Sequence, residues 1–174
     1  TYVNIFCTAI TFQCSLCITE HLIQICPAAK SINTQQNLFG AFGNHGAGVV
    51  AVRISKVSKV ILQNCFQDEC AKVLVATDDG SLGHHGFVDA LVRQELEQDR
   101  NYDGVLACGP KPMLRNVANA AQEFGIPCQV SMEERMGCGV GACLVCACDM
   151  ADGSRKHVCK DGPVFDSKEV DWNA

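Results

Sequence analysis

Apolar residues between positions 48 and 136 follow the alternating periods of strands and helices. Four short apolar runs predict buried strands, at residues 49–52, 72–76, 105–107 and 126–130. Three segments carry apolar residues at helical spacing, weakly in the first of them: residues 58–70, 87–96 and 112–124. Pro112 stands where helices begin and Gly125 where they end. Because strands and helices alternate, the pattern predicts an α/β domain with a parallel sheet and crossover helices.

The predicted sheet places three loops where a ligand would bind. Ligands of parallel sheets lie beyond the carboxyl ends of the strands. The loops that follow the predicted strand ends are residues 77–81, 108–113 and 131–136. These loops are therefore the first candidates for a binding site.

Composition narrows the classes of partner. The 174 residues carry a net charge of −5 and no Lys/Arg cluster that could follow a phosphate backbone, so nucleic acid is not an expected partner. Cysteine is unusually frequent, with 13 residues, and five of them lie between Cys138 and Cys159. An odd total and such crowding favour a ligand set over a disulfide scaffold, and they indicate a reducing, cytoplasmic setting.

Residues 1–47 show little recognisable periodicity. The apolar run over residues 3–18 is closed by Glu20 and His21, and no basic residue precedes Lys30. A signal peptide needs a positive start, and a membrane span needs about 20 apolar residues. No membrane role is therefore expected. Cys14 and Cys17 have a metal-like spacing but no second pair follows, so buried or incidental cysteines are the expectation.

The segment after residue 137 carries the most specific motif of the chain. Cys138, Cys143 and Cys146 form a C-x4-C-x2-C pattern, and a distal fourth cysteine follows at Cys159. This is the plant-type spacing for a [2Fe–2S] cluster, in which one tight, glycine-rich loop supplies three thiolates. A hairpin turn at residues 151–154 places the fourth thiolate on a separate strand after the hairpin.

Two points about this motif remain open from spacing alone. Cys148 lies two residues past Cys146 on a predicted strand, and it is interpreted as a bystander. The alternative to a cluster is a structural zinc site, for which His157 is a possible ligand. A Gly-filled gap of four residues within one loop is unlike the paired spacing of zinc sites, so the cluster is the favoured interpretation.

From residue 48 to residue 172 the sequence closely resembles the electron-transfer subunit of two-subunit, NAD-linked dihydroorotate dehydrogenases, members of the ferredoxin-reductase superfamily. The resemblance rests on KVLVATDDGSLGHHGFVDALV, on ACGPKPML and above all on EERMGCGVGACLVCAC. It implies a nucleotide-binding α/β domain over residues 48–136 and a [2Fe–2S] module over residues 137–174. Residues 1–47 stay unassigned.

The resemblance also implies roles for individual residues. Four cysteines become the cluster ligands: Cys138, Cys143, Cys146 and Cys159. The CGPxxM turn would meet the nicotinamide and pyrophosphate of NAD, with Cys108, Gly109, Pro110 and Met113. The adenosine half would meet Thr77, Asp78 and Asp79, and Glu133 with Glu134 would lie near the flavin ring. Each of these also has a plain alternative, as core packing, a turn or a solvated rim.

The function implied by the resemblance is electron transfer without bond-making on the substrate. Electrons would pass between the FMN of a partner dihydroorotate dehydrogenase subunit, the cluster, FAD and NAD, in pyrimidine biosynthesis. Alternatives are a subunit of another NAD(P)H–ferredoxin or sulfide oxidoreductase, and a stand-alone [2Fe–2S] carrier.

The family's flavin-binding barrel is not recognisable in this sequence. Its Arg-x-Tyr-Ser/Thr motif is absent before residue 48, and residues 40–48 occupy only approximately the place of the expected Gly-rich loop. Either the chain is truncated or its flavin site has been lost. We therefore expect this chain alone to bind FAD poorly.

Overall fold

The computed structural model describes residues 4–9, 49–54 and 72–173. These segments contain nine strands and three helices. The helix predicted over residues 58–70 lies outside the described residues, as do Cys14 and Cys17. Among the described residues, no helix has the length and apolar character needed to span a membrane.

Seven strands form one sheet in the order β4-β3-β2-β1-β5-β6-β9. Their bounds are β1 Asn4–Ala9, β2 Val49–Ile54, β3 Lys72–Thr77, β4 His84–His85, β5 Gly104–Cys108, β6 Cys128–Ser131 and β9 Val164–Asp166. All neighbours are parallel except β9, which runs antiparallel to β6. The predicted parallel sheet is present, and the four predicted strands fall within one or two residues of their observed bounds.

The central strand of this sheet, β1, comes from the region that the sequence left unassigned. Asn4–Ala9 pairs with β2 on one side and with β5 on the other. The sheet therefore begins at residue 4, well before the predicted domain boundary at 48. The Gly-rich residues 40–48 lie between β1 and β2 in the sequence and outside the described residues, so their approximate placement as the expected Gly-rich loop stays a prediction.

In the described part of the chain two helices cover the sheet, and both match the predicted apolar periods. Helix α1, Val88–Gln98, buries Leu91, Val92 and Leu96. Helix α2, Lys111–Glu123, has Pro112 in its first turn and packs against α1. Each of these two helices follows the carboxyl end of a strand. Strands β2, β3 and β4 lie on one side of β1 and β5 and β6 on the other, so the strand order reverses at β1. The loops that follow the strands therefore meet at the carboxyl ends of the sheet.

The C-terminal residues form a smaller unit joined to the same sheet. Strands β7, Ala147–Asp149, and β8, Arg155–His157, pair antiparallel around the predicted hairpin turn. A one-turn helix α3, Val158–Asp161, follows directly. Strand β9 then joins the main sheet through β6. The Phe165 side chain of β9 is buried in the same hydrophobic cluster as the core of the sheet.

Candidate functional site

The four cysteines of the motif come together between one loop and helix α3. Cys138 and Cys143 lie on the exposed loop that precedes β7, and Cys146 lies at its buried end. Cys159 lies in α3, so the expected strand position of the fourth cysteine is wrong. The helical turn after the hairpin also brings the fourth thiolate to the loop. The backbone N–H of Val158 donates to the carbonyl of Cys146 at 3.0 Å, and this hydrogen bond fixes α3 beside the loop.

Backbone N–H groups of the loop point at the sulfurs. Those of Val140, Ala142 and Cys143 lie 3.4, 3.2 and 3.4 Å from the Cys138 Sγ. The N–H of Gly141 lies 3.2 Å from the Cys159 Sγ. Such donors stabilise a negative charge on sulfur. The Val140 N–H, followed by the Cys143 backbone and side chain, lowers the pKa of Cys138 to about 6.

The thiols form two pairs in this arrangement. Cys146 Sγ lies 3.2 Å from Cys159 Sγ, and Cys138 shares a side-chain hydrogen bond with Cys143. The hydrogen bond with Cys146 is the largest cause that raises the pKa of Cys159. Two adjoining sulfur pairs fit two metal ions with two thiolate ligands each.

The pairing of the sulfurs favours a binuclear cluster over a single-metal site. A structural zinc ion needs four ligands around one point. Two pairs of soft thiolate ligands, held in a loop rich in N–H donors, fit a [2Fe–2S] group.

The neighbours that sequence reasoning set aside have other partners. Cys148 is buried on β7, its Sγ lies 3.4 Å from the carbonyl oxygen of Lys156, and burial raises the pKa of its thiol. The Nδ1 of His157 lies 3.6 Å from Asp161, whose carboxylate also accepts the His157 backbone N–H at 2.7 Å. These contacts support the interpretation of Cys148 as a bystander and leave His157 facing a carboxylate.

The cysteine loop carries exposed apolar side chains on its outer face. Val140 is 72% exposed and Leu144 is 64% exposed, and Val145 and Met136 are also exposed. Leu144 has a left-handed backbone with φ of 61°, the one non-glycine case in the described part of the chain. Trp172, by contrast, packs against the core and donates its Nε1–H to the Ser167 carbonyl at 2.9 Å. It anchors the C-terminal segment.

Of the residues predicted to contact adenosine, Thr77 forms hydrogen bonds within its own loop. Thr77 is fully buried, its hydroxyl donates to the Leu82 carbonyl at 2.7 Å, and its oxygen accepts the Leu82 N–H at 3.1 Å. Asp78 and Asp79 are exposed in the turn that follows, where Asp79 accepts the N–H of Ser81 at 3.0 Å. Thr77 therefore shapes this turn, and the two aspartates form its outer surface.

The CGPxxM turn lies at the carboxyl end of β5. Gly109 has φ of +153°, and the carbonyl of Pro110 accepts the first helical hydrogen bond of α2 from Leu114. Pro110 is exposed, whereas Met113 is only 8% exposed and packs into the core. The turn thus presents its backbone and the start of α2 to the edge of the sheet, while the Met113 side chain stabilises the helix from within.

Cys108 has neighbours that the sequence did not identify. It pairs in register with Thr8 of β1 and with Ser131 of β6, so Cys108 lies where the carboxyl ends of three strands meet. Burial raises the pKa of Cys108, the hydrogen bond with Ser131 opposes this, and the charge of Glu133 adds to the increase. The structure therefore brings Cys108 and exposed Glu133 close together. Ser131 stands directly after the strand predicted over residues 126–130, and this position at a strand end was the signal that could have identified it from the sequence.

Comparisons with known proteins agree with this geometry. Residues 133–171 match the family model described as the iron–sulfur cluster binding domain of dihydroorotate dehydrogenase B. The chain is 43% identical over 102 residues to an electron-transfer subunit of dihydroorotate dehydrogenase B (NAD(+)) from Caldanaerobacter subterraneus, covering 57% of this chain and 40% of that protein. It is 40% identical over 129 residues to the corresponding Geobacillus thermodenitrificans subunit, covering 73% of this chain and 48% of that protein.

A solved structure extends the likeness to the whole fold. The NADH-dependent reduced ferredoxin–NADP oxidoreductase, a flavin-based electron-bifurcating enzyme, superposes with a TM-score of 0.72 and 25% identity, over 99% of this chain and 55% of that chain. The chain spans less than half the length of the curated relatives above. The resemblance found in the sequence is confirmed: over part of their length the chain is similar to the electron-transfer subunits of NAD-linked dihydroorotate dehydrogenase B, its residues 133–171 match their iron–sulfur cluster binding domain, and its fold is of the ferredoxin-reductase type.

Proposed function

We propose that this chain is an electron-transfer subunit, or a part of one, that passes electrons between an FMN-containing dihydroorotate dehydrogenase subunit and NAD in the cytoplasm. The observation that carries the proposal is the set of four motif cysteines in two contacting pairs, with N–H donors aimed at two of the sulfurs. The relatives named above supply the substrate and the partner.

The residues proposed to hold the cluster are Cys138, Cys143, Cys146 and Cys159. A bound [2Fe–2S] cluster supplies one-electron chemistry. The loop supports it in two ways. Its N–H groups stabilise the charge on the sulfurs, and the buried Cys146 fixes the inner end of the loop to β7.

The nucleotide is proposed to bind where the strand ends meet. Asp78, Asp79 and the backbone of Cys108-Gly109-Pro110 border this edge, and α2 begins there. A helix N-terminus and the crevice beyond the carboxyl ends of parallel strands suit a pyrophosphate. Glu133, near Cys108, is proposed to lie toward the flavin.

FAD is expected to bind weakly to this chain alone, because no flavin motif is recognisable before residue 48. Equilibrium dialysis of FAD against the purified chain measures this directly. A stoichiometric, tightly held FAD would contradict this part of the proposal and would also exclude a simple stand-alone carrier.

The partner subunit is proposed to dock on the exposed apolar residues of the cysteine loop. Val140, Leu144 and Val145 are each more than half exposed. Interfaces concentrate such residues at their centre, and one-electron transfer requires the cluster to approach the partner closely. Co-expression with an FMN-barrel dehydrogenase subunit, followed by size-exclusion chromatography, tests whether a stable complex forms.

The decisive experiment concerns the metal group. We expect anaerobically purified protein to be red-brown and to contain about two irons and two acid-labile sulfides per chain. Cys146→Ser should abolish the visible absorbance, whereas the matched control Cys148→Ser should retain it. One zinc ion without sulfide, or loss of the cluster only in Cys148→Ser, would overturn the proposed ligand set.

A further inference from the structure

A lysine next to the fourth cysteine lies directly over the cysteine loop. If a Cβ were built on Gly141, it would lie 2.8 Å from Cδ, 3.1 Å from Cβ and 3.4 Å from Cγ of Lys160. The aliphatic part of Lys160 is therefore packed against the backbone of Gly141. Gly141 has φ of +80° and no side chain, which leaves room for this contact.

This contact places the lysine close to the sulfurs. The N–H of Gly141 donates to the Cys159 Sγ at 3.2 Å, and Lys160 is the next residue after Cys159. The ammonium group lies two bonds beyond Cδ, and the residue as a whole is exposed. Lys160 thus covers the loop at Gly141 with its stem, and it carries its positive charge on the residue next to the ligand Cys159, where the charge also interacts with the Asp161 carboxylate.

The electrostatic consequence follows from the charge of the group that the site fits. A [2Fe–2S] cluster with four thiolates is negative overall, and reduction adds one electron without making or breaking a bond to the protein. A nearby positive charge stabilises the reduced form more than the oxidised form. The neighbouring carboxylate of Asp161 opposes this effect, and it is held by the His157 backbone N–H at 2.7 Å.

We propose that Lys160 is a positioning residue of the cluster site, which holds the loop at Gly141 through its stem and raises the reduction potential through its charge. The proposal rests on the proposed function, because it requires that a cluster be bound by the four cysteines. It adds a residue that the cysteine motif itself does not include.

The test compares variants that separate charge from stem. Lys160→Arg keeps the charge, Lys160→Met keeps an apolar stem, and Lys160→Ala removes both. Lys168→Met is the control, because Lys168 is an exposed lysine in the turn after β9. Each protein is reconstituted with iron and sulfide, its midpoint potential is titrated with dithionite and redox dyes, and its cluster loss in a chelator is timed.

We expect Lys160→Met to have a lower midpoint potential with unchanged cluster content, and Lys160→Arg to stay near the parent value. Lys160→Ala should show the lower potential and also faster cluster loss. A Lys160→Met potential equal to that of the parent protein and of Lys168→Met would overturn the inference and leave the proposed function standing. Failure of the parent chain to assemble any cluster would overturn both.

Discussion

Gly137 is where a single added methyl group should disturb the cluster site most directly. Its backbone is not left-handed, so alanine can adopt its conformation without backbone strain. A Cβ at this position would lie 2.8 Å from the Cys143 Sγ. Ordinary contact begins near 3.4 Å, so the sulfur would have to move by about 0.6 Å.

That displacement is large on the scale of metal coordination. Ligand positions in metal sites are defined to within about 0.2 Å, so a sulfur displaced by three times that distance no longer fits the site. We expect Gly137→Ala to lose most of its iron and sulfide during anaerobic purification. Iron and sulfide per chain, with visible absorbance, are the measurements, and far-UV circular dichroism checks that the α/β domain remains folded.

Gly153 provides the opposite control. It lies in the turn between β7 and β8 with φ of +80°, and an added Cβ would meet nothing within 4 Å. Gly153→Ala should cost about 1–2 kcal/mol through the left-handed backbone while keeping the cluster. If Gly137→Ala retained a full cluster, or Gly153→Ala lost its cluster equally, the steric argument would be refuted.

Three further predictions concern stability and docking. Glu95→Ala should lower the free energy of unfolding by about 2–4 kcal/mol, because Glu95 is buried and accepts from Tyr102 at 2.8 Å and Lys72 at 2.6 Å. Denaturant titration should show a much smaller loss for exposed Glu97→Ala. Burial raises the pKa of Cys128 to about 11 from 9.0, so stability should fall by about 2–3 kcal/mol between pH 9 and 11. Leu144→Asp should weaken the partner complex in size-exclusion chromatography without reducing iron content.

Each of these has a clear contrary result. Equal losses of unfolding free energy in Glu95→Ala and Glu97→Ala would mean that the buried hydrogen bonds of the Glu95 carboxylate add nothing to stability. The unfolded state releases the Cys128 proton first as pH rises, so Cys128→Ala should make the alkaline decline in stability shallower, while Tyr102, Cys108 and Cys148, whose pKa values burial also raises, keep part of it. An unchanged decline in that variant would assign it to other groups. Loss of the cluster in Leu144→Asp, or an unaffected complex, would contradict the docking surface.

The sequence by itself determined the local elements and the chemistry of the cysteine motif. Apolar runs and helical spacing are properties of neighbouring residues, so Lys72–Thr77 and Lys111–Glu123 were predictable within one or two positions. The C-x4-C-x2-C spacing is local as well, and three of the four motif cysteines lie in one loop. A family resemblance could rest on such residues because their function depends on short spacings.

Only the tertiary structure decided which distant residues meet. Asn4–Ala9 became the central strand, although a continuous apolar run cannot be distinguished locally from other buried segments. The burial of Thr77 and the contact of Lys160 with Gly141 depend on how loops close, which no periodicity encodes. The physical reason is the same in each case. Packing of the whole domain determines which residues far apart in sequence become hydrogen-bond partners or van der Waals neighbours, whereas residue spacing depends only on the period of each helix or strand.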